Sequence, residues 1–469
     1  MSSRAPSVSR MVETTKEPAG THGRPAGIHG PMYTPGADGY DGERIGFQLL
    51  DPHRPALIVG AASADDVRAA VEYAAARRAP VAVQASGHGL AAPTDGLLIS
   101  TRRMNGVRVD PRARTAWIEA GATWARVIEE AAPHGLAPLS GSFPGVGAIS
   151  YTLGGGVGLL ARRHGFAADH VRRFELVTMD GRPRQVTADR DPDLFWALRG
   201  GGGGFGVVTG MEIGLVPVAR IYGGALSFDA GRVPDVLDAW RRWTATVPEE
   251  MTSAVSMLPY PDLPVLPEPL RGRHVAQIQI SYAGPAEEGR SLVEPLRALG
   301  PCLRDTLREL PYTESGTVFD EPDQPHGYRS DNRLLRDLDP AALAGLTKAA
   351  GPAAPVMCVV GLRHLGGALA RPPRTPGAVG HRDAAYSLTV LSPAEPGEEE
   401  TVRAVHRDAL APFAGQALGR SLNFSYGPLD PDQVRSAFEP GDFRRLTELR
   451  ARYDPYGLLR ANHTIPLAT

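Results

Sequence analysis

The chain has 469 residues, 42% of them hydrophobic and 22% charged, which is the composition of a folded protein too long for one ordinary core, so two packed lobes are expected. Lys plus Arg number 50 against 52 acids, with no basic block suited to a row of phosphates, which argues against nucleic acid as a partner. No run approaches the ~18 apolar residues of a membrane span, and Cys302 and Cys358 have no zinc or dithiol spacing, so no metal site is expected.

Residues 1–30 are polar, rich in Ser, Pro, Gly and Thr, and lack the apolar core of a secretory signal; they read as a disordered tail, taken to residue 32, of a cytoplasmic protein. A short apolar run at 55–59 predicts a strand. Residues 63–78 predict a helix, with Val67, Ala70, Val71 and Ala74 at helical spacing and Ser63 with Asp66 as a capping-box-like start. A second strand at 80–84 enters the turn of Ser86, Gly87, His88 and Gly89. Strands at 97–100, 106–110 and 115–120 and a helix at 123–134, stopped by Gly135, give mixed α+β layering. Glycine and small residues dominate 141–158, and 200–204 is all glycine, a density that helix and strand interiors tolerate poorly. Between them, 174–179 predicts a strand and 191–198 a helix capped by Asp191.

After Pro217 the texture changes. Long alternating segments at 275–282, 356–365 and 384–391, separated by helical stretches, predict an antiparallel sheet with helices on one face. In the first of these, Gln277, Gln279 and Ser281 share one side and Ala276, Ile278, Ile280 and Tyr282 the other, so one face packs and the other looks at something. Residues 366–380 are a Pro- and Gly-rich loop, 442–453 a helix, and 453–466 irregular.

Glycine-rich turns at 86–89, 141–147 and 154–158 suit a backbone that must approach a large anionic cofactor, because glycine has no Cβ and oriented N–H groups hold pyrophosphate. No G-x-x-x-x-G-K-[ST] motif exists, and no G-x-G-x-x-G joins the first strand to the first helix, which disfavours P-loop and Rossmann sites.

Six segments occur in order: PVAVQASGHG (80–89), GSFPGVG (141–147), YTLGGGVG (151–158), FELVTMDG (174–181), LRGGGGGFGVVT (198–209) and YDPYGLLRANH (453–463). Together they closely resemble the berberine-bridge-enzyme-like FAD-linked oxidases, over about residues 35 to 466. The resemblance implies a bilobal FAD-binding domain of the vanillyl-alcohol-oxidase type (33–217), an inserted antiparallel-sheet substrate domain (218–422) and a C-terminal return to the FAD lobe (423–469). It implies FAD bonded through its 8α-methyl carbon to His88. Further cofactor contacts are expected from Gln84, Ser86, Gly87, Gly89, Ser142, Gly147, Gly154, Gly155, Gly158, Gly206 and Val207, with Asn423 and Asn462 near the isoalloxazine ring.

The chain departs from the pattern at three places. Phe143 stands where bicovalent members have a second, cysteinyl attachment, so one covalent bond is expected. Val157 and Ser421 stand where relatives often have tyrosines. The proton acceptor is then expected among Tyr386, His364 and Tyr426, with Gln277 and Gln279 orienting substrate; Arg363 and His364, neighbours on a strand, cannot face the same side. The implied activity is hydride transfer from a small alcohol, sugar or amine to FAD, with O2 reduced to hydrogen peroxide. A dehydrogenase using another acceptor, a redox-neutral cyclase and a non-enzymatic flavin-binding protein are the alternatives.

Overall fold

The structure is a computed structural model that describes residues 25–467, so the expected tail over 1–24 lies outside the described residues. Four strands, Met32–Tyr33 (β1), Leu57–Gly60 (β2), Val81–Gln84 (β3) and Leu97–Ser100 (β4), form a sheet in the order β1-β2-β4-β3, parallel except at β1. The helix Ala64–Arg77 links β2 to β3; Ser63 Oγ accepts from Asp66 N at 3.2 Å, and Val67, Ala70, Val71 and Ala74 are fully buried against the core. Residues 25–32, expected to be tail, are held down: Ile28 is buried, and the N–H groups of His29 and Gly30 donate to Asp66 at 2.7 and 3.3 Å.

A second, antiparallel sheet comprises Val107–Asp110 (β5), Thr115–Glu119 (β6), Val171–Val177 (β7), Pro183–Val186 (β8) and Val207–Gly214 (β9), in the order β5-β6-β9-β7-β8. A six-residue helix, Ala148–Leu153, sits inside the glycine-rich stretch that looked hostile to helix. Asp191 does not cap Pro192–Leu198: it is left-handed (φ 56) with no side-chain cap bond, and Pro192 supplies the preset first helical residue.

The third sheet has nine strands: Arg220–Asp229 (β10), Met251–Pro259 (β11), His274–Tyr282 (β12), Cys302–Asp305 (β13), Arg308–Pro311 (β14), Tyr328–Leu335 (β15), Val359–His364 (β16), Tyr386–Pro393 (β17) and Ala417–Gly419 (β18). Their order is β13-β10-β12-β11-β16-β17-β15-β18, with β14 beside β10. Leu226, Phe228, Val255, Met257, Ile278, Ile280, Leu362, Leu388 and Val390 point to one face, covered by the helices Val236–Thr244, Ala286–Arg297, Pro340–Ala349 and Glu399–Leu410. Alternation along each strand then sends Ser227, Ser256, Gln277, Gln279, Arg363 and Thr389 to the other face. The chain ends back on the first lobe, where Val81 N donates to Leu458 O and Arg460 N to Val81 O, adding Leu459 beside β3. This is the expected α+β architecture, with the antiparallel sheet inserted between two parts of the first lobe. Among the described residues no helix is long and apolar enough to cross a membrane.

Candidate active site

Between the glycine turns of the first lobe and the polar face of the nine-stranded sheet lies a cavity of about 880 Å³. That is at the upper end of the roughly 300–1,000 Å³ of small-molecule and cofactor sites.

Strand β3 delivers the turn that carries His88. Gly87 (φ +73) packs so closely that an added Cβ would lie 2.5 Å from Gly46 Cα, which only glycine allows. Phe47 N donates to Ser86 O and Gln48 N to Gly87 O, stitching residues 47–48 along the turn, and the Phe47 ring stacks on His88 with centroids 3.8 Å apart. Asn462, from the C-terminal return, grips the turn from the far side: its Oδ1 accepts from Ala91 N (3.3 Å) and its Nδ2 donates to Gly89 O (3.0 Å). His88 Nδ1 lies 3.2 Å from Ser86 Oγ, whereas Nε2 is buried with no hydrogen-bond partner. Burial, and then His326, hold the imidazole down to about 4, so it is neutral and keeps a nucleophilic lone pair at physiological pH. Phe143 stands 5.2 Å from His88, presenting hydrocarbon where a second attachment would need a thiol.

The other expected cofactor residues divide in two. Gly89, Ser142, Gly154, Gly206, Val207, Asn423 and Asn462 line the cavity with His88. Gln84, Ser86, Gly87, Gly147, Gly155 and Gly158 stand behind its wall. Gln84 Nε2 donates to Arg44 O, Ser86 Oγ accepts from Gly147 N, and a Cβ on Gly158 would lie 1.8 Å from Ser140 O. Glycines of these loops make room for one side chain: Cβ atoms on Gly141 and Gly156 would meet the Tyr151 ring at 3.0 and 2.4 Å, and one on Gly158 its hydroxyl at 3.1 Å. Tyr151 itself lines the cavity with a buried hydroxyl that has no partner, and Asn423 Nδ2 donates to its carbonyl at 2.9 Å. Gly202 and Gly203 also line the cavity, and nothing lies within 4 Å of a Cβ added at Gly202, so the backbone there is bare toward the open space. An orphaned imidazole nitrogen, an orphaned phenol and a bare glycine backbone fit a large, partly anionic cofactor held along this lobe.

Two of the three expected proton acceptors stand elsewhere. Tyr386 points to the helix-covered face, where its hydroxyl meets Thr244 Oγ1 at 2.7 Å and its ring packs edge-on against Trp240. His364 is also on that face, its Nε2 against the buried Arg162 guanidinium; burial and then Arg162 push it down to about 3. Strand parity decides both, since Arg363, next to His364, faces the cavity. Tyr426 does line the cavity, perpendicular to Tyr328 with ring centroids 5.1 Å apart. Burial raises the Tyr426 phenol well above its ordinary value, aided by Tyr328 and Glu321 and opposed by Arg363. The Tyr328 hydroxyl, accepting from Gly89 N at 3.1 Å, is pushed up to about 12. Gln277 and Gln279 line the cavity as expected from their alternation. Tyr151, Phe47, Tyr328 and Arg363 were missed as site residues. Tyr151 lies inside the 151–158 glycine motif, whereas Phe47 and Tyr328 reach the His88 turn through contacts that no local pattern announces.

Residues 55–187 match the FAD binding domain family, the stretch that holds the His88 turn and the glycine loops. (R)-6-Hydroxynicotine oxidase of Paenarthrobacter nicotinovorans is 29% identical over 462 residues, covering 94% of this chain and 97% of that one. By these likenesses the chain is an FAD-linked oxidoreductase. The solved 6-hydroxy-D-nicotine oxidase from Arthrobacter nicotinovorans superposes with a TM-score of 0.80 at 26% identity, over 93% of this chain and 98% of that one. The carbohydrate oxidase from Microdochium nivale shares the fold at 19% identity, with a TM-score of 0.80 and 94% and 98% coverage. As an FAD-linked oxidoreductase, the chain places its cofactor motifs on the first lobe and the polar sheet face opposite them.

Proposed function

We propose that this enzyme is an oxidase that holds FAD by a single covalent bond from His88 and oxidises a small organic substrate lying under the polar face of the nine-stranded sheet. When bound, the flavin supplies a two-electron acceptor that takes hydride from a substrate C–H bond and passes the electrons to O2. The observation that carries the reading is the His88 turn: a neutral imidazole held by Phe47 and Ser86, on a turn whose backbone Asn462 grips, with Nε2 left without a partner. Phe143 beside it leaves no second point of attachment.

The residues facing the cavity favour a substrate that needs no strong base. The Tyr426, Tyr328 and Tyr151 phenols are all raised by burial, and the buried His463 is held down to about 4. A positioned base is worth roughly 10²–10⁴-fold, and a phenol raised this far is a poor one at neutral pH. An amine bound in its neutral form fits this environment. For an alcohol or sugar, Tyr426 is the residue placed to hold the hydroxyl, as hydrogen-bond partner first and proton acceptor second. The relatives divide the same way, one named for a nicotine derivative and the other for carbohydrate.

The test has two parts. The purified protein should stay yellow after acid precipitation, with one flavinylated peptide, containing His88, in its digest. A substrate found by anaerobic bleaching should then release peroxide in air. A colourless precipitate sinks the covalent bond; bleaching without peroxide turns the oxidase into a dehydrogenase; no bleaching by any alcohol, sugar or amine removes the redox reading.

A further inference from the structure

The polar face of the nine-stranded sheet carries a cation held between two aromatic rings. Arg363, on β16, projects into the cavity with its guanidinium 4.6 Å from the centre of the Phe319 ring and 4.9 Å from that of Phe424. Two aromatic faces hold the guanidinium plane in place, and one N–H donates to Ser142 Oγ at 3.2 Å. Among the described residues no carboxylate lies within ion-pair distance of Arg363. The acids of the cavity wall, Asp320 and Glu321, are exposed, and Asp320 sits 3.7 Å from Arg304 instead.

A guanidinium is permanently charged, and burying one without an anion is costly, so proteins pair it or leave it wet. Here the side chain is half-buried, oriented by two rings and a serine, and presents the remainder of its N–H fork to the cavity. That is the geometry that recognises a planar oxyanion through two parallel hydrogen bonds. On the substrate sheet, and bonded to Ser142 of the 141–147 turn, it stands where the sheet meets the cofactor loops, beside the place a substrate would occupy.

We propose that Arg363 anchors an anionic group, a carboxylate, on the substrate, with Phe319 and Phe424 flanking the adjoining apolar part. The substrate class is then an organic acid carrying its oxidisable carbon a short distance from the carboxylate. This rests on the reading of the cavity as an FAD-dependent active site, and it deepens that reading by naming a substrate feature.

The test uses the purified holoenzyme at about pH 7.5, where carboxylates are ionised. Benzoate, phenylacetate and hexanoate are titrated against their neutral amides, with calorimetry and the flavin absorbance as readouts. The expected result is that each acid binds at least about 10-fold tighter than its amide, that R363Q erases this preference while amide affinities stay within about twofold, and that R363K keeps part of it. Equal binding of acid and amide to the unaltered enzyme overturns the proposal. So does a preference that survives in R363Q, above all if that variant shifts the flavin reduction potential, because the guanidinium then serves the cofactor. Colour after acid precipitation reports separately on His88. A colourless protein that still prefers acids through Arg363 supports this inference and refutes the covalent bond; a yellow protein without the preference does the reverse.

Discussion

On the helix-covered face of the nine-stranded sheet, Leu226, Phe228, Ile278, Ile280 and Leu388 are fully buried, and the polar groups that intrude, Tyr386 and His364, are sealed against Thr244 and Arg162. On the opposite face the same strands present Ser227, Ser256, Gln277, Gln279, Arg363 and Thr389 to a cavity. The two faces differ by one residue of register, yet one is spent on holding the sheet together and the other on what lies beneath it. The contrast teaches that a titratable residue on these strands is first a matter of parity, and only then of chemistry.

The largest expected effect tests what lies beneath the sheet. His88→Ala removes the nitrogen left free for attachment, so acid precipitation should yield a colourless pellet and no flavin peptide; retained covalent flavin would show another residue to be the anchor. Next, the faces should separate in stability. Ile278→Ala deletes a fully buried side chain and is expected to cost about 2–5 kcal/mol in denaturant unfolding, whereas Gln277→Ala, half-buried and bonded to Tyr260, should cost about 1 kcal/mol or less. Similar losses at the two sites would break the distinction.

Two tyrosines sharpen it. Tyr426→Phe is expected to slow flavin reduction about 10-fold, since it removes a hydroxyl from the cavity. Tyr386→Phe should leave reduction within about twofold and cost roughly 1 kcal/mol through the lost bond to Thr244. Stopped-flow reduction of both variants decides the matter, and a slow Tyr386→Phe enzyme would move the active face to the helix side.

A further contrast is in pH. Burial holds His406 down to about 4, and burial with Arg162 holds His364 down to about 3, both below the ordinary 6.5. The unfolded chain therefore binds protons that the folded chain refuses. Their contribution to stability is complete above about pH 6.5 and is lost as pH falls toward 4, by at most about 1.4 kcal/mol per pH unit for each histidine. Urea midpoints that stay level from about pH 7 to about pH 5 would show that these groups titrate freely in the fold.

The cofactor half of the site was legible because its demands are local. A histidine between glycines, and loops where no Cβ fits, are written in consecutive residues, and the strands and helix around them follow from spacing and a serine cap. The substrate half was half-legible. Alternation in 275–282 sorted Gln277 and Gln279 from Ile278 and Ile280, but it did not say which face of β16 and β17 meets the cavity. His364 and Tyr386 drew notice as titratable residues, and parity set Arg363 on the side opposite His364 without saying which of the two meets the cavity. Phe47 reaches His88, and Tyr328 its neighbour Gly89, from segments 41 and 239 positions away, through pairings that only the folded chain creates.

The grip of Asn462 on Gly89 and Ala91 joins residues more than 370 positions apart. On a ribosome, the His88 turn emerges early and waits, without its far clamp, for almost the entire remaining chain to be made. If His88 carries the flavin as proposed, its attachment is expected to be a late, post-translational event. Flavin colour would then be a mark of chain integrity: a polypeptide cut short before Asn462 is expected to remain unloaded however well its first lobe folds.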